Sequence, residues 1–352
     1  MLTRRSFLTA GAAAAGGALV AGCDVPIVGG GGVSRGGLRK LVGLSLYADT
    51  SWTRCVASGA AEALQGSGYR LLARHADFSA ARELANLQSF ANRKATGAIV
   101  VPVSVESATR GAQAIQQASG AVVNALSPGE GGAGDKYYAS LVDSGGEEGG
   151  RLVGRWLADH VPGGGEVIVV QGLLGQGVSE PLDRGLQAAL AGGEFPIVAR
   201  GPGNLVAADA VGVVRAALAR HPGAKVVVDY GAEMGDGIAG FLQVSGRRDV
   251  VHVTAGADAA TGRWLGTPFL RATRYFSGAQ IGRTAAKALL EAVRDDAAQA
   301  DPLTRTVAQG MRTDLRGAPA NCAGPRVAVQ PPLRENSATP LPPTETDAGD
   351  LG

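Results

Sequence analysis

From Lys40 onward, short runs of β-branched and aliphatic residues alternate with longer stretches whose apolar positions recur every three or four residues. The runs predict strands at Lys40–Ala48, Tyr69–His75, Gly97–Val103, Gly120–Ala125, Tyr138–Val142, Glu166–Gln171, Phe195–Arg200, Ala224–Tyr230, Asp249–Ala255 and Phe269–Phe276. Several are almost continuously apolar, as expected of parallel strands covered on both faces. The stretches between them predict helices, with Ala81, Leu84, Leu87 and Phe90 marking one apolar stripe. Alternation of strand and helix specifies an α/β fold. Ten strands are more than one sheet holds comfortably, so the expectation is two doubly wound parallel-sheet lobes.

Composition narrows the function. The 352 residues are 45% hydrophobic, enough for a sizeable core, but hold no apolar run of the length that a membrane span needs. Three Cys are too few for a disulfide scaffold. The net charge of +2 comes from 33 basic and 31 acidic residues. Two of the basic ones, Arg4 and Arg5, lie in residues 1–22, which contain no acid, so the remainder balances at 31 and 31. A nucleic-acid partner would need a cationic excess, and there is none. Residues 316–352 hold seven of the 17 Pro and no helical or strand period after Val329. That tail is expected to be extended and largely disordered beyond about Leu333.

The first residues read as an address. Thr3-Arg4-Arg5-Ser6-Phe7-Leu8 is similar to a twin-arginine export signal, and the Ala- and Gly-rich stretch after it is too short to span a bilayer. Val20-Ala21-Gly22-Cys23 resembles a lipobox, where a bacterial lipoprotein is cut and its cysteine acylated. Cys23 would then be the first residue of a protein held to membrane lipid without crossing it. A glycine-rich tether follows, from Gly29 to Gly37. Outside the cytoplasm Cys55 and Cys322 are placed either to pair or to remain free thiols.

Chemistry-bearing motifs are sparse. The four His (His75, His160, His221, His252) lack metal-ligand spacing, and there is no phosphate-binding P-loop or nucleophile elbow. No metal or cofactor is expected. Gly172-Leu173-Leu174-Gly175-Gln176-Gly177 follows a predicted strand and precedes a helix. Its glycine order is wrong for a dinucleotide fingerprint, so a tight connection lining a cleft is favoured over a nucleotide site.

Ala81-Arg82-Glu83-Leu84-Ala85-Asn86-Leu87-Gln88 followed by Gly97-Ala98-Ile99-Val100-Val101-Pro102 resembles the periplasmic sugar-binding family typified by the ribose-binding protein. Gly59, Gly68-Tyr69, Asp143 with Gly149-Gly150, Gln171-Gly172 with Gly185, His221-Pro222 and Gln280-Ile281-Gly282 agree in order. The resemblance spans about residues 40–316 and implies two lobes joined by three crossing strands, closing on a ligand. It implies an N-terminal lobe at 39–139 plus 276–297 and a C-terminal lobe at 140–275 plus 298–316, beside the signal at 1–22, the tether at 23–38 and the tail at 317–352.

By this likeness the ligand-binding positions are Asp49, Thr50, Trp52, Thr53, Ser127, Gln176, Glu180, Gly231, Asp258 and Phe276. Trp52 would stack on a sugar ring or else be a packing residue, and Thr50 and Thr53 would bond hydroxyls. The family's Asp-Arg pair falls on Leu126-Ser127, its Asn-Asp on Gly231-Ala232, a further Asp on Gly256 and its hinge Gln on Phe276. Losing those groups points away from plain ribose, glucose or galactose, toward a larger or less polar glycoside, nucleoside or aromatic metabolite. The expected protein is an exported, lipid-anchored monomer on the outer face of the cell membrane. It would capture a small molecule for the permease of an ABC importer and have no catalytic role. The alternatives are a lipoprotein that senses its ligand for a membrane receptor or kinase without transport, and a secreted α/β enzyme.

Overall fold

A computed structural model of the protein describes residues 40–126, 134–294, 303–314 and 327–331. The ten runs become β1 (Leu41–Leu46), β2 (Arg70–His75), β3 (Gly97–Val101), β4 (Ala121–Leu126), β5 (Ser140–Asp143), β6 (Val167–Gln171), β7 (Ile197–Pro202), β8 (Val226–Asp229), β9 (Val251–Thr254) and β10 (Ala272–Phe276). Three short strands follow, β11 (Leu303–Thr306), β12 (Gln309–Arg312) and β13 (Val329–Gln330). The helices are α1 (Ser51–Leu64), α2 (Ala80–Asn92), α3 (Val105–Gln117), α4 (Gly146–His160), α5 (Ser179–Ala189), α6 (Ala207–Arg220), α7 (Ala232–Val244), α8 (Ala259–Gly262) and α9 (Gly278–Arg294).

The strands form two sheets, ordered β11-β5-β4-β3-β1-β2-β13 and β12-β10-β9-β8-β6-β7. Every neighbouring pair is parallel except β10 with β12. All six residues of β1 are buried, as are all four of β8, because helices cover both faces of each sheet. Glycines set how closely those helices approach. A Cβ at Gly59 would fall on the Ala279 carbonyl and one at Gly282 on the Val56 carbonyl, so α1 and α9 touch backbone to backbone. Gly150 and Gly185 do the same for α4 and α5.

The chain passes between the sheets after β5, after β10 and between β11 and β12, and returns to the first sheet between β12 and β13. The first three crossings are bonded to one another. The Val307 amide donates to the Asp143 carbonyl at 3.0 Å, and Gln309 Nε2 to the Gly145 carbonyl at 3.2 Å. Asp143 accepts the Gly145 and Gly146 amides at 2.7 and 3.2 Å. Gly145 has φ 86°, a left-handed turn that starts α4 where a side chain would strike Gln309.

These pairings differ from the sequence reading in two places. Ser140–Asp143, assigned to the second lobe, is a strand of the first sheet, buried between β4 and β11. Residues 298–316, also assigned to the second lobe, divide at Val307, with β11 in the first sheet and β12 in the second. Within the Pro-rich tail, Val329 and Gln330 pair with Ala73 and Arg74 of β2, whose outer edge would otherwise offer free backbone groups. The rest of the tail, the signal and the tether lie outside the described residues, Cys23 and Cys322 among them. Cys55 is disulfide-bonded. Among the described residues no helix is long and apolar enough to cross a membrane.

Candidate functional site

A cleft opens between the two sheets, at the carboxyl ends of their strands. Such switch points are where open α/β sheets bind ligands. The first lobe supplies Tyr47 after β1, Trp52 at the start of α1 and Leu126 at the end of β4. The second supplies Gln176, Val178 and Leu205 from loops, and Tyr230, Gly231, Ala232 and Glu233 where β8 meets α7. Gly256 and Ala257 after β9, with Arg274 and Phe276 of β10, complete it.

Aromatic rings make one wall. Tyr47 and Trp52 stack at 6.4 Å, and Phe276 meets Trp52 edge-on at 5.7 Å. Arg274 covers Phe276 with its guanidinium carbon 4.4 Å from the ring centre. The guanidinium donates away from the cavity, to the carbonyls of Ala255 at 3.2 Å and Ser144 at 2.7 Å and to Gln309 Oε1 at 2.7 Å. Burial lowers its pKa to about 10, with Asp143 acting in the opposite sense. Arg274 thus ties the floor of the cleft to the crossings.

Carboxylates shape the remainder. Glu233 is half-buried, but its Oε1 is fully buried and accepts no hydrogen bond. Burial pushes its carboxyl up, and Asp258 and Asp229 push it further. Burial raises the Tyr47 hydroxyl well above its ordinary value, followed by the charge of Glu233. Asp229 is fully buried beneath Gly231, whose amide donates to it at 3.0 Å. His252 Nε2 is hydrogen-bonded to Asp229 at 2.7 Å and Nδ1 to the Phe269 carbonyl at 2.9 Å. That pair, with Thr254 donating to Asp229 at 2.8 Å, fixes the β8–α7 turn.

The residues singled out from sequence separate into three groups. Trp52, Gln176, Gly231 and Phe276 line the cavity. Asp49, Thr50, Thr53, Glu180 and Asp258 are placed around it in other roles. Asp49 accepts from Arg54 Nε and Nη2 at 2.7 and 2.9 Å, which holds its carboxyl below the usual range. Thr50 caps α1, accepting from the Thr53 amide at 3.2 Å, while Thr53 accepts the Thr50 amide at 2.9 Å and donates to the Ala48 carbonyl at 2.8 Å. Glu180 accepts from the Gly175 amide at 3.4 Å. Asp258 caps α8 and accepts from the Ser51 hydroxyl of the opposite lobe. Ser127 lies outside the described residues.

Three direct bonds join the lobes beside the cavity. They are Ser51 to Asp258, Gln176 Nε2 to the Pro102 carbonyl at 2.8 Å, and the Val105 amide to the Gly175 carbonyl at 2.8 Å. The Gly172–Gly177 turn is therefore an interlobe contact. Behind Pro102, fully buried Glu83 accepts the Val103 amide at 2.8 Å, the Ser104 amide at 3.4 Å and the Ser107 hydroxyl. Burial raises its pKa to about 7 against the lowering effect of those bonds. Tyr47, Glu233 and Arg274 were not singled out from sequence. Tyr47 and Glu233 stand just beyond β1 and β8, where the strand-end rule would have found them. Among the described residues no group of three or more His, Cys, Asp or Glu is placed to hold a metal ion.

Two doubly wound lobes, three bonded crossings and a cavity at their strand ends define the type I periplasmic binding fold. The chain belongs to the family described as periplasmic binding protein domain, whose model matches residues 42–297. Over 198 residues it is 26% identical to the ribose import binding protein RbsB of Escherichia coli (strain K12), covering 55% of this chain and 64% of that one. It thus spans just under two thirds of the length of that curated relative. Among solved structures, an ABC transporter solute binding protein from Agrobacterium vitis, bound with alpha-D-tagatopyranose, superposes with a TM-score of 0.74. It is 16% identical, over 82% of this chain and 100% of that one. One from Mycobacterium smegmatis with bound glycerol gives a TM-score of 0.71 at 23% identity, over 83% and 100%. These two likenesses concern the fold.

Proposed function

We propose that this chain is the solute-binding component of an ABC importer, capturing a carbohydrate or a related glycoside in the interlobe cleft and presenting it to a permease. The observation that carries the reading is the aromatic-walled cavity at the strand ends of two lobes joined by bonded crossings. An apolar ring wall fits the faces of a sugar ring, and hinge bending admits and releases it. The names of the relatives, which are import binding proteins, support this reading. Glu233 and Trp52 carry the polar atoms left for a ligand to satisfy, Oε1 and Nε1.

The full chain, melted against pentoses, hexoses, amino sugars, polyols and their glycosides, is expected to gain stability from a small, selective subset. A ligand at a hundredfold excess over Kd adds about 2.7 kcal/mol. No stabilisation by any neutral or amine-bearing member of that panel would overturn the reading. The chain is exported and held to the outer face of the membrane through acylated Cys23. Cys23→Ala is expected to move the protein from the membrane to the soluble fraction of the producing cells, and full retention on membranes would contradict the anchor.

A further inference from the structure

Building on that reading of the cleft, we propose that the bound solute is a sugar-like ring bearing a protonated amine, received by Glu233 against the rings of Tyr47, Trp52 and Phe276. Glu233 lines the cavity with the Tyr47 and Thr50 hydroxyls beside its carboxyl, and its Oε1 is buried with no donor at hydrogen-bond distance. A buried acceptor left unpaired is costly, and a carboxylate more so than a neutral group. A ligand hydroxyl would provide the missing hydrogen bond but leave the charge. An ammonium provides both.

The charges around Glu233 favour the ammonium. The charged groups that act on it are Asp258 and Asp229, both acidic. Asp229 is hydrogen-bonded to His252 at 2.7 Å and to the Thr254 hydroxyl at 2.8 Å. Asp258 accepts only from hydroxyls and amides, those of Ser51, Ala260 and Thr261. The one cationic side chain of the lining, Arg274, is turned toward Ser144, Ala255 and Gln309, and its charged neighbour is Asp143. Two carboxylates therefore lack a counter-charge at this end of the cleft. The aromatic wall beside it suits a cation, which ring faces attract, better than an anion, which they repel. A protonated amine meets both features at once.

The test uses the full chain and matched pairs in which an ammonium replaces one hydroxyl: D-glucosamine with D-glucose, D-galactosamine with D-galactose, and D-mannosamine with D-mannose. N-acetyl-D-glucosamine serves as the uncharged control. Calorimetric titration at pH 7 is expected to show at least one amine binding tenfold or more tightly than its hydroxyl partner, with acetylation removing the gain. In Glu233→Gln the tenfold preference for the amine over its hydroxyl partner is expected to disappear. Because the wild-type comparison needs no variant, it decides the matter even if Glu233→Gln folds poorly. Neutral sugars binding as tightly as their amines would overturn the amine assignment and leave the solute-binding reading standing. Binding of neither set would overturn both.

Discussion

Glu83 sits where the first lobe meets the second, its carboxyl raised to about 7 by burial. A carboxyl whose folded pKa lies above its unfolded value holds its proton more firmly in the native state. Between roughly pH 4.5 and 7 the native state therefore binds more protons, and stability falls as pH rises through that window. The predicted loss is about 3 kcal/mol across it. Glu83→Gln is expected to flatten the fall, read as the melting temperature at pH 4.5, 6 and 7.5; an unchanged slope would contradict the assignment. Trp52 and Phe276 were legible as cleft residues because a large ring just beyond a strand or at a crossing has few other places to go. Glu233 was not, because an acid in the first turn of a helix reads equally well as a complement to the helix dipole. Thr50 and Thr53 were legible as polar, but the reciprocal cap they form at the start of α1 was not. Arg274 escaped notice because nothing in a strand sequence tells that its head will bond carbonyls from a different lobe.

Among the elements, the strands were the most legible part of the chain. Val167–Val170 and Val226–Val228 are runs that only a sheet buried on both sides explains. The short strands β11, β12 and β13 were not, because each is held by a partner far away in sequence rather than by its own pattern. Helix contacts follow from glycines that the sequence displayed without explaining. A Cβ at Gly150 would land on the backbone of Leu182 and Leu186, and α4 cannot move off α5 without disturbing the crossing that precedes it. Gly150→Val is predicted to cost about 1–3 kcal/mol, the usual range for overpacking. Gly212 on α6, with open space around it, is the control. Chemical denaturation of both variants checks this, and equal stability would show that α4 and α5 have room to separate.

At the scale of the whole molecule, two kinds of bond act across long distances. The chain has three cysteines, and Cys55 is disulfide-bonded. With Cys23 taken by acylation in the proposed function, Cys322 is the partner that remains. Reduction is predicted to lower stability by about 2–4 kcal/mol. Peptide mapping of the unreduced protein is expected to find Cys55 joined to Cys322, and a Cys55 peptide joined to Cys23 would contradict the acylated anchor. The second kind is the trio of direct bonds between the lobes. Ser51→Ala and Gln176→Ala are expected to enlarge the ligand-free radius of gyration in small-angle scattering. They should also speed ligand dissociation several-fold, each lost bond being worth about 0.5–3 kcal/mol; dimensions and rates like the wild type's would show that the bonds do not hold the lobes. Since part of the closure free energy resides in the protein, the closed form has a standing population before any solute arrives. Measured affinity then reports that population as well as the contacts in the cleft. A sequence change at Ser51, outside the lining of the cleft, would retune how long a solute is held while leaving unaltered which solute is chosen.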